Sequence, residues 1–203
     1  MKLIACDLHG VVFHVDYKKI SSLLWHVSPK LPLLAAPLNP KFWIHLAKLI
    51  AKNAVGEEYV MRMAQWHPSL APYINDGIDL INAQKPNQAV VDLLQQLKKN
   101  GYALIAFSNI GEHAYAHLSH QFPHIMNLFD DALYTTQGES YLRKPEKAAF
   151  QKLLDTTGLP PAQILFIDNK QKNITAAQQL CITTCHYTSP KKLQRQLLQH
   201  IVF

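Results

Sequence analysis

Cysteine is scarce, with three in 203 residues. An odd number argues against a disulfide framework. Cys181 and Cys185 lie four apart in an expected strand, which separates them by about 13 Å at the strand rise, too far to bridge. His186 beside Cys185 makes no metal motif either, because alternate strand residues face opposite ways. All three are expected to be small buried hydrophobes in a reducing compartment. Long apolar runs are also missing. LPLLAAPL is broken by prolines and too short to span a bilayer. LIAC has almost nothing before Cys6, so it does not read as a secretory leader. These absences point to a cytoplasmic protein with no membrane partner.

No dense basic run occurs, although the net charge is +6. The lysines and arginines are scattered, which suits mild attraction for anionic substrates and gives no nucleic-acid arm. No internal repeat or low-complexity segment is present. What remains is a chain with 48% hydrophobic and 17% charged residues, typical of one or two globular domains with a proper core.

Apolar β-leaning runs fall at 3–6, 102–107, 164–167 and 181–185, with a weaker one at 132–134. Helical patterns lie between them at 87–99, 112–121, 145–157 and 170–180, and a last one over 190–199. Pro145 at the first helical position and Gly158 beyond the end bracket the third of these. Strands alternating with helices predict a parallel sheet wrapped on both faces. Residues 14–86 break the rhythm with helical patterns and no clear strand, as expected of a helical insertion after the first strand.

In an open parallel α/β sheet, functional groups gather beyond the carboxyl ends of the strands. Asp7 follows LIAC, Ser108 follows LIAF and Asp168 follows ILFI. Lys144 precedes Pro145 in a loop entering a helix. Singly, each has an ordinary reading: turn residue, helix cap or solvated cation. Together, two carboxylates, a hydroxyl and an ammonium aim at one crevice. Carboxylates can hold Mg²⁺, the ammonium and hydroxyl can hold an anion, and a carboxylate can itself be the nucleophile.

DLHGVV, FSN, RKPEKAAFQKLL and ILFIDNKQKNITAA, in that order, resemble the four motifs of the haloacid dehalogenase superfamily of hydrolases. The resemblance is to the phosphatase-like branch with a helical cap after strand one. It implies an α/β fold: a three-layer Rossmann-like core with a parallel sheet from 1–13 and 87–203, and a small α-helical cap from 14–86. It implies a Mg²⁺-dependent phosphatase acting on a small phosphorylated metabolite. Asp7 would be the nucleophile. Ser108, Asn109 and Lys144 would hold the phosphoryl oxygens, and Asp7, the main-chain carbonyl of His9 and Asp168 would hold Mg²⁺. The oligomeric state is left open.

Two positions depart from the family pattern. His9 stands where a second aspartate usually serves as acid and base, and Asn169 stands where paired acids are usual. Imidazole titrates near neutrality and can carry both proton transfers. With two negative charges missing, Mg²⁺ is expected to bind more weakly than in a typical relative. His9 has three readings: a substitute acid/base in a phosphatase, the favoured one; a sign of a reaction needing no leaving-group proton, as in Mg²⁺-independent 2-haloacid dehalogenases; or a sign of a site that only binds a phospho-ligand or protein.

Outside this set, His113, His117 and His120 share one helical face and are expected to be a solvated stripe rather than a metal site. Trp25, Phe42, Trp43, Tyr59 and Trp66 are expected to form the core of the insertion.

Overall fold

The computed structural model describes residues 1–26, 36–51, 56–135 and 143–201. In chain order these form β1 (Leu3–Cys6), β2 (Phe13–Val15), α1 (Tyr17–His26), α2 (Pro40–Ala51), α3 (Gly56–Trp66), α4 (Ile74–Ile81) and β3 (Gln84–Pro86). There follow α5 (Gln88–Lys99), β4 (Ala103–Gly111), α6 (Glu112–Gln121), the single turn α7 (Pro123–Met126) and β5 (Asp131–Thr135). The last elements are α8 (Lys147–Thr157), β6 (Ile164–Asp168), α9 (Gln171–Gln178), β7 (Thr183–His186) and α10 (Pro190–Leu197).

Five strands make one parallel sheet in the order β5-β4-β1-β6-β7. β1 sits at its centre, with Cys6 opposite Ala106 on one side and Ile167 on the other. Alternation of side chains sends Ile4 and Cys6 into a core with Leu94, Leu97 and Leu193, and Leu3 and Ala5 into a second core with Phe150 and Phe166. A strand covered on both faces reads as an unbroken apolar run, which is why LIAC and ILFI stand out in the sequence. The sheet is the expected α/β, Rossmann-like arrangement.

The chain divides into two compact units, Met1–His14 with Lys85–Phe203, and Val15–Gln84. The first contains the five-stranded sheet. The second contains α1 to α4, with α3 packed against both α2 and α4. Asp16 opens α1, its Oδ1 accepting from Lys18 N at 3.1 Å and Lys19 N at 3.2 Å.

Several expectations shift. Pro145 does not begin α8. Glu146 N donates to Arg143 O at 2.7 Å, so the proline lies within a turn and the helix begins at Lys147. Its end is as read, at Gly158 with φ of 61°. β7 starts at Thr183, because Cys181 has φ of 59° and its N–H closes the end of α9 on Gln178 O. Cys181 is therefore exposed, while Cys6 and Cys185 are buried. The stretch read as strandless is bounded by β2 and β3, each three residues long and too short to show a period; they pair as a separate two-stranded sheet. Trp25 and Trp43 are not core: they are 78% and 57% exposed. Phe42 does face inward, its ring centred 5.7 Å from that of buried His67.

Candidate active site

β1 ends at Cys6, and Asp7 follows with its N–H still donating to Ile167 O at 2.9 Å. Sheet pairing thus fixes where the Asp7 side chain begins. Its Oδ1 accepts from Leu8 N at 2.9 Å and from Ser108 Oγ at 2.7 Å. The Lys144 ammonium lies 3.2 Å from the same oxygen and 2.7 Å from Asp168 Oδ2. Four sequence-predicted residues, Asp7, Ser108, Lys144 and Asp168, therefore meet at one point, all of them buried.

Lys144 is held from several directions. Its Nζ also donates to Phe107 O and sits 4.9 and 5.1 Å from the ring centres of Phe107 and Phe166. Asn109 grips its backbone: Asn109 Nδ2 donates to Lys144 O at 2.7 Å and Lys144 N donates to Asn109 Oδ1 at 2.9 Å. Asn109, expected at the phosphate, is thus placed to position the lysine. Asp168 Oδ1 accepts from Lys170 N at 2.7 Å, and its Oδ2 accepts from Asn173 Nδ2 at 2.9 Å besides Lys144. Both oxygens of this fully buried carboxylate are engaged by the chain itself.

Two carboxylates facing one ammonium leave a net negative charge in a buried place. Burial pushes the Asp7 carboxyl above its ordinary range; Lys144 pulls it down, Asp168 pushes it up and the Ser108 hydrogen bond pulls it down. Burial, helped by the Asp7 charge, raises the neighbouring Cys6 thiol well above its ordinary value, which keeps it a thiol rather than a competing nucleophile.

A cation would relieve that excess, and oxygen donors for one are at hand. Asn169 Oδ1 is buried and has no hydrogen-bond partner. Asn169 also packs on Gly10, where a Cβ would lie 2.2 Å from Asn169 Nδ2. Gly10 has φ of 87°, so glycine serves both the backbone turn and the close approach. Carboxylate and amide oxygens are the hard donors that Mg²⁺ takes. Among the described residues no three His, Cys, Asp or Glu side chains converge as a metal set, so backbone or amide oxygens would have to complete it. The residues present fit the ion.

His9 carries an exposed side chain, and the Gly10 N–H after it donates to Phe13 O at 2.7 Å. Its charge, after burial, helps to depress the pKa of His14. On α6, His113 and His120 are exposed and His117 Nε2 shares a 2.9 Å hydrogen bond with Gln121 Oε1. Gly10, Asn173 and the clamping role of Asn109 were not singled out from the sequence. DLHG and IDNKQKN contain the glycine and the asparagine, but nothing local signals their contacts.

A sequence profile of the haloacid dehalogenase-like hydrolases matches residues 1–180. The chain belongs to that family. Among curated proteins it is similar to the sesquiterpene phosphatase astK of Aspergillus oryzae, 27% identical over 104 residues, 51% of this chain and 52% of the relative. The match thus spans about half of that relative's length. Among solved structures, a variant of the HAD family enzyme bt-2542 of Bacteroides thetaiotaomicron, in complex with magnesium and inorganic phosphate, superimposes with a TM-score of 0.66. It is 19% identical, over 91% of this chain and 93% of that one. The L-2-haloacid dehalogenase of Xanthobacter autotrophicus, with chloropropionic acid covalently bound, gives 0.65 at 15% identity, over 98% and 83%. Both solved structures share the fold of this chain, and the fold alone does not separate phosphatase from dehalogenase.

Proposed function

We propose that this hydrolase is a Mg²⁺-dependent phosphatase that cleaves small phosphate monoesters through an aspartyl-phosphate on Asp7. The observation that carries the reading is the convergence of Ser108 Oγ, Leu8 N and Lys144 Nζ on one oxygen of a buried aspartate. Those donors fix the carboxylate's orientation and leave its other oxygen for attack on phosphorus. The phosphatase relative and the magnesium and phosphate complex of the similar fold support the choice of phosphate over halide.

Asp7 attacks the phosphorus, the bond from phosphorus to the alcohol oxygen breaks, and that oxygen takes a proton from the His9 imidazolium. Neutral His9 then takes a proton from water, whose oxygen attacks the aspartyl-phosphate at phosphorus. Inorganic phosphate leaves and Asp7 is restored. Lys144 and Ser108 stabilise the charge spread over the transferring phosphoryl oxygens. Asp168 and Asn109 hold Lys144 in place for this. Asp7, the carbonyl of His9, Asp168 and the orphaned Asn169 Oδ1 would hold Mg²⁺, which supplies positive charge to the phosphoryl group. The Val15–Gln84 unit is the helical cap in this reading, and it selects the substrate.

The test is hydrolysis of an aryl phosphate, with and without Mg²⁺, by wild type, Asp7→Asn and His9→Asp. Metal-dependent turnover lost in Asp7→Asn supports the reading. An inert wild type revived by His9→Asp shows instead a phosphatase scaffold kept for binding. Halide release from a 2-haloacid without Mg²⁺ assigns the dehalogenase reaction.

A further inference from the structure

α2 is apolar on both sides. Leu49 is 1% exposed, and Phe42, His45 and Leu46 beside it are half-buried, with His45 Nδ1 3.2 Å from His67 Nε2. That face is spoken for by the unit's own interior. The opposite face carries Pro40, Trp43, Ile44 and Ala47, at i, i+3, i+4 and i+7, and every one is exposed. Trp43 is 57% and Ile44 54% exposed. Leu38, just before the helix, is 81% exposed, and Trp43 Nε1 donates to Pro37 O at 2.8 Å, tying the two segments together. An apolar helical face is ordinarily buried, so this outer stripe is out of place in water.

The charge around the stripe points to its occupant. Lys41 and Lys48, seven apart, are exposed along one edge of it. The described residues 17–26 and 36–51 carry four lysines (Lys18, Lys19, Lys41, Lys48) and no aspartate or glutamate. On α1, Tyr17 and Leu24 lie seven apart on one exposed face, beside exposed Lys18 and Trp25. A second copy of the chain would bring like charges together across a two-fold, which disfavours it. Tryptophan and aliphatic side chains on one helical face with lysines at its margin are the composition of a helix lying at the headgroup level of an anionic bilayer.

We propose that the exposed face of α2, with Lys41 and Lys48 at its edge, docks the protein on the surface of anionic lipid membranes. No helix among the described residues is long and apolar enough to cross a membrane. The absence of spanning length, on which the expectation of no membrane partner rested, does not bear on association with its surface. The docking is independent of the reaction at Asp7.

The test is co-sedimentation of the full chain with phosphatidylcholine vesicles, with and without phosphatidylglycerol, while tryptophan emission is followed. The expected result is binding to the anionic vesicles only, with a blue shift, weakened by salt. Lys41→Gln with Lys48→Gln is expected to lower partitioning roughly tenfold or more, and Ile44→Glu with Ala47→Glu to abolish it. Circular dichroism melting of each variant shows that the fold is intact. No binding to anionic vesicles, equal binding to neutral ones, or retention in Ile44→Glu/Ala47→Glu overturns the proposal. So does a dimer, seen by sedimentation velocity, that the same double variant dissociates.

Discussion

The Lys144 ammonium stands 2.7 Å from Asp168 Oδ2, and the two side chains are 1% and 0% exposed. Taking away the cation leaves Asp168 and Asp7 facing each other with no buried positive charge between them. Lys144→Met should therefore destabilise the protein by about 3–5 kcal/mol, the cost of breaking a buried pair. Loss of the ammonium also removes the pull that lowers the Asp7 carboxyl, so its pKa in the folded state rises further. The deficit should be full above that value and shrink as pH falls and Asp7 protonates. Urea denaturation at a series of pH values measures both.

Burial of the Asp7 charge carries a pH signature. Its carboxyl titrates above the ordinary aspartate value of 3.8 because burial outweighs Lys144 and Ser108. The folded state then binds this proton more tightly than the unfolded one. The stability so gained is complete below 3.8 and is lost as pH rises through the folded value. Asp7→Asn, with no charge to bury, should melt higher than wild type near neutral pH in chelator, by roughly 2–4 °C for about 1 kcal/mol. The gap should close in acid. Paired calorimetric scans check it.

Gly10 and Asn169 are packed so that one cannot gain a Cβ without moving the other. Gly10→Ala meets both the 2.2 Å approach to Asn169 Nδ2 and the φ of 87°. The left-handed backbone alone costs about 1–2 kcal/mol for an L-residue, and the collision adds to it. In an Asn169→Ala background the collision disappears and only the backbone part should remain. A double-mutant cycle by urea denaturation separates the two.

Asn169→Asp adds a third carboxylate to the site of Asp7 and Asp168. Mg²⁺ affinity should rise at least about tenfold. Isothermal titration with MgCl₂ reads this directly, without any turnover.

The sheet was legible because its strands are buried on both faces, so LIAC and ILFI show as apolar runs ending in aspartate. The site was legible for the same reason: strand ends of a parallel sheet share an edge, and Asp7, Ser108 and Asp168 each follow such a run. What was hidden depends on contacts between distant segments. Asn109 looks like a helix cap in FSN, yet β4 continues to Gly111 and its amide clamps Lys144. Gly10 looks like a turn residue until Asn169 is brought against it. The outer face of α2 was misread because an apolar side chain in a helical pattern carries no mark of which side faces the core. Trp43 and Phe42 are adjacent in sequence, and only the packing of His67 tells them apart.

The most direct test of the account is chemical trapping of the aspartyl-phosphate. The protein is mixed with an aryl phosphate and Mg²⁺, quenched in acid and reduced with borohydride, and the peptide containing Asp7 is read by mass spectrometry. The account predicts homoserine at position 7, present only when substrate is added and absent from Asp7→Asn. Turnover of the phosphate that persists in Asp7→Asn, with aspartate intact at position 7 in wild type, would contradict it.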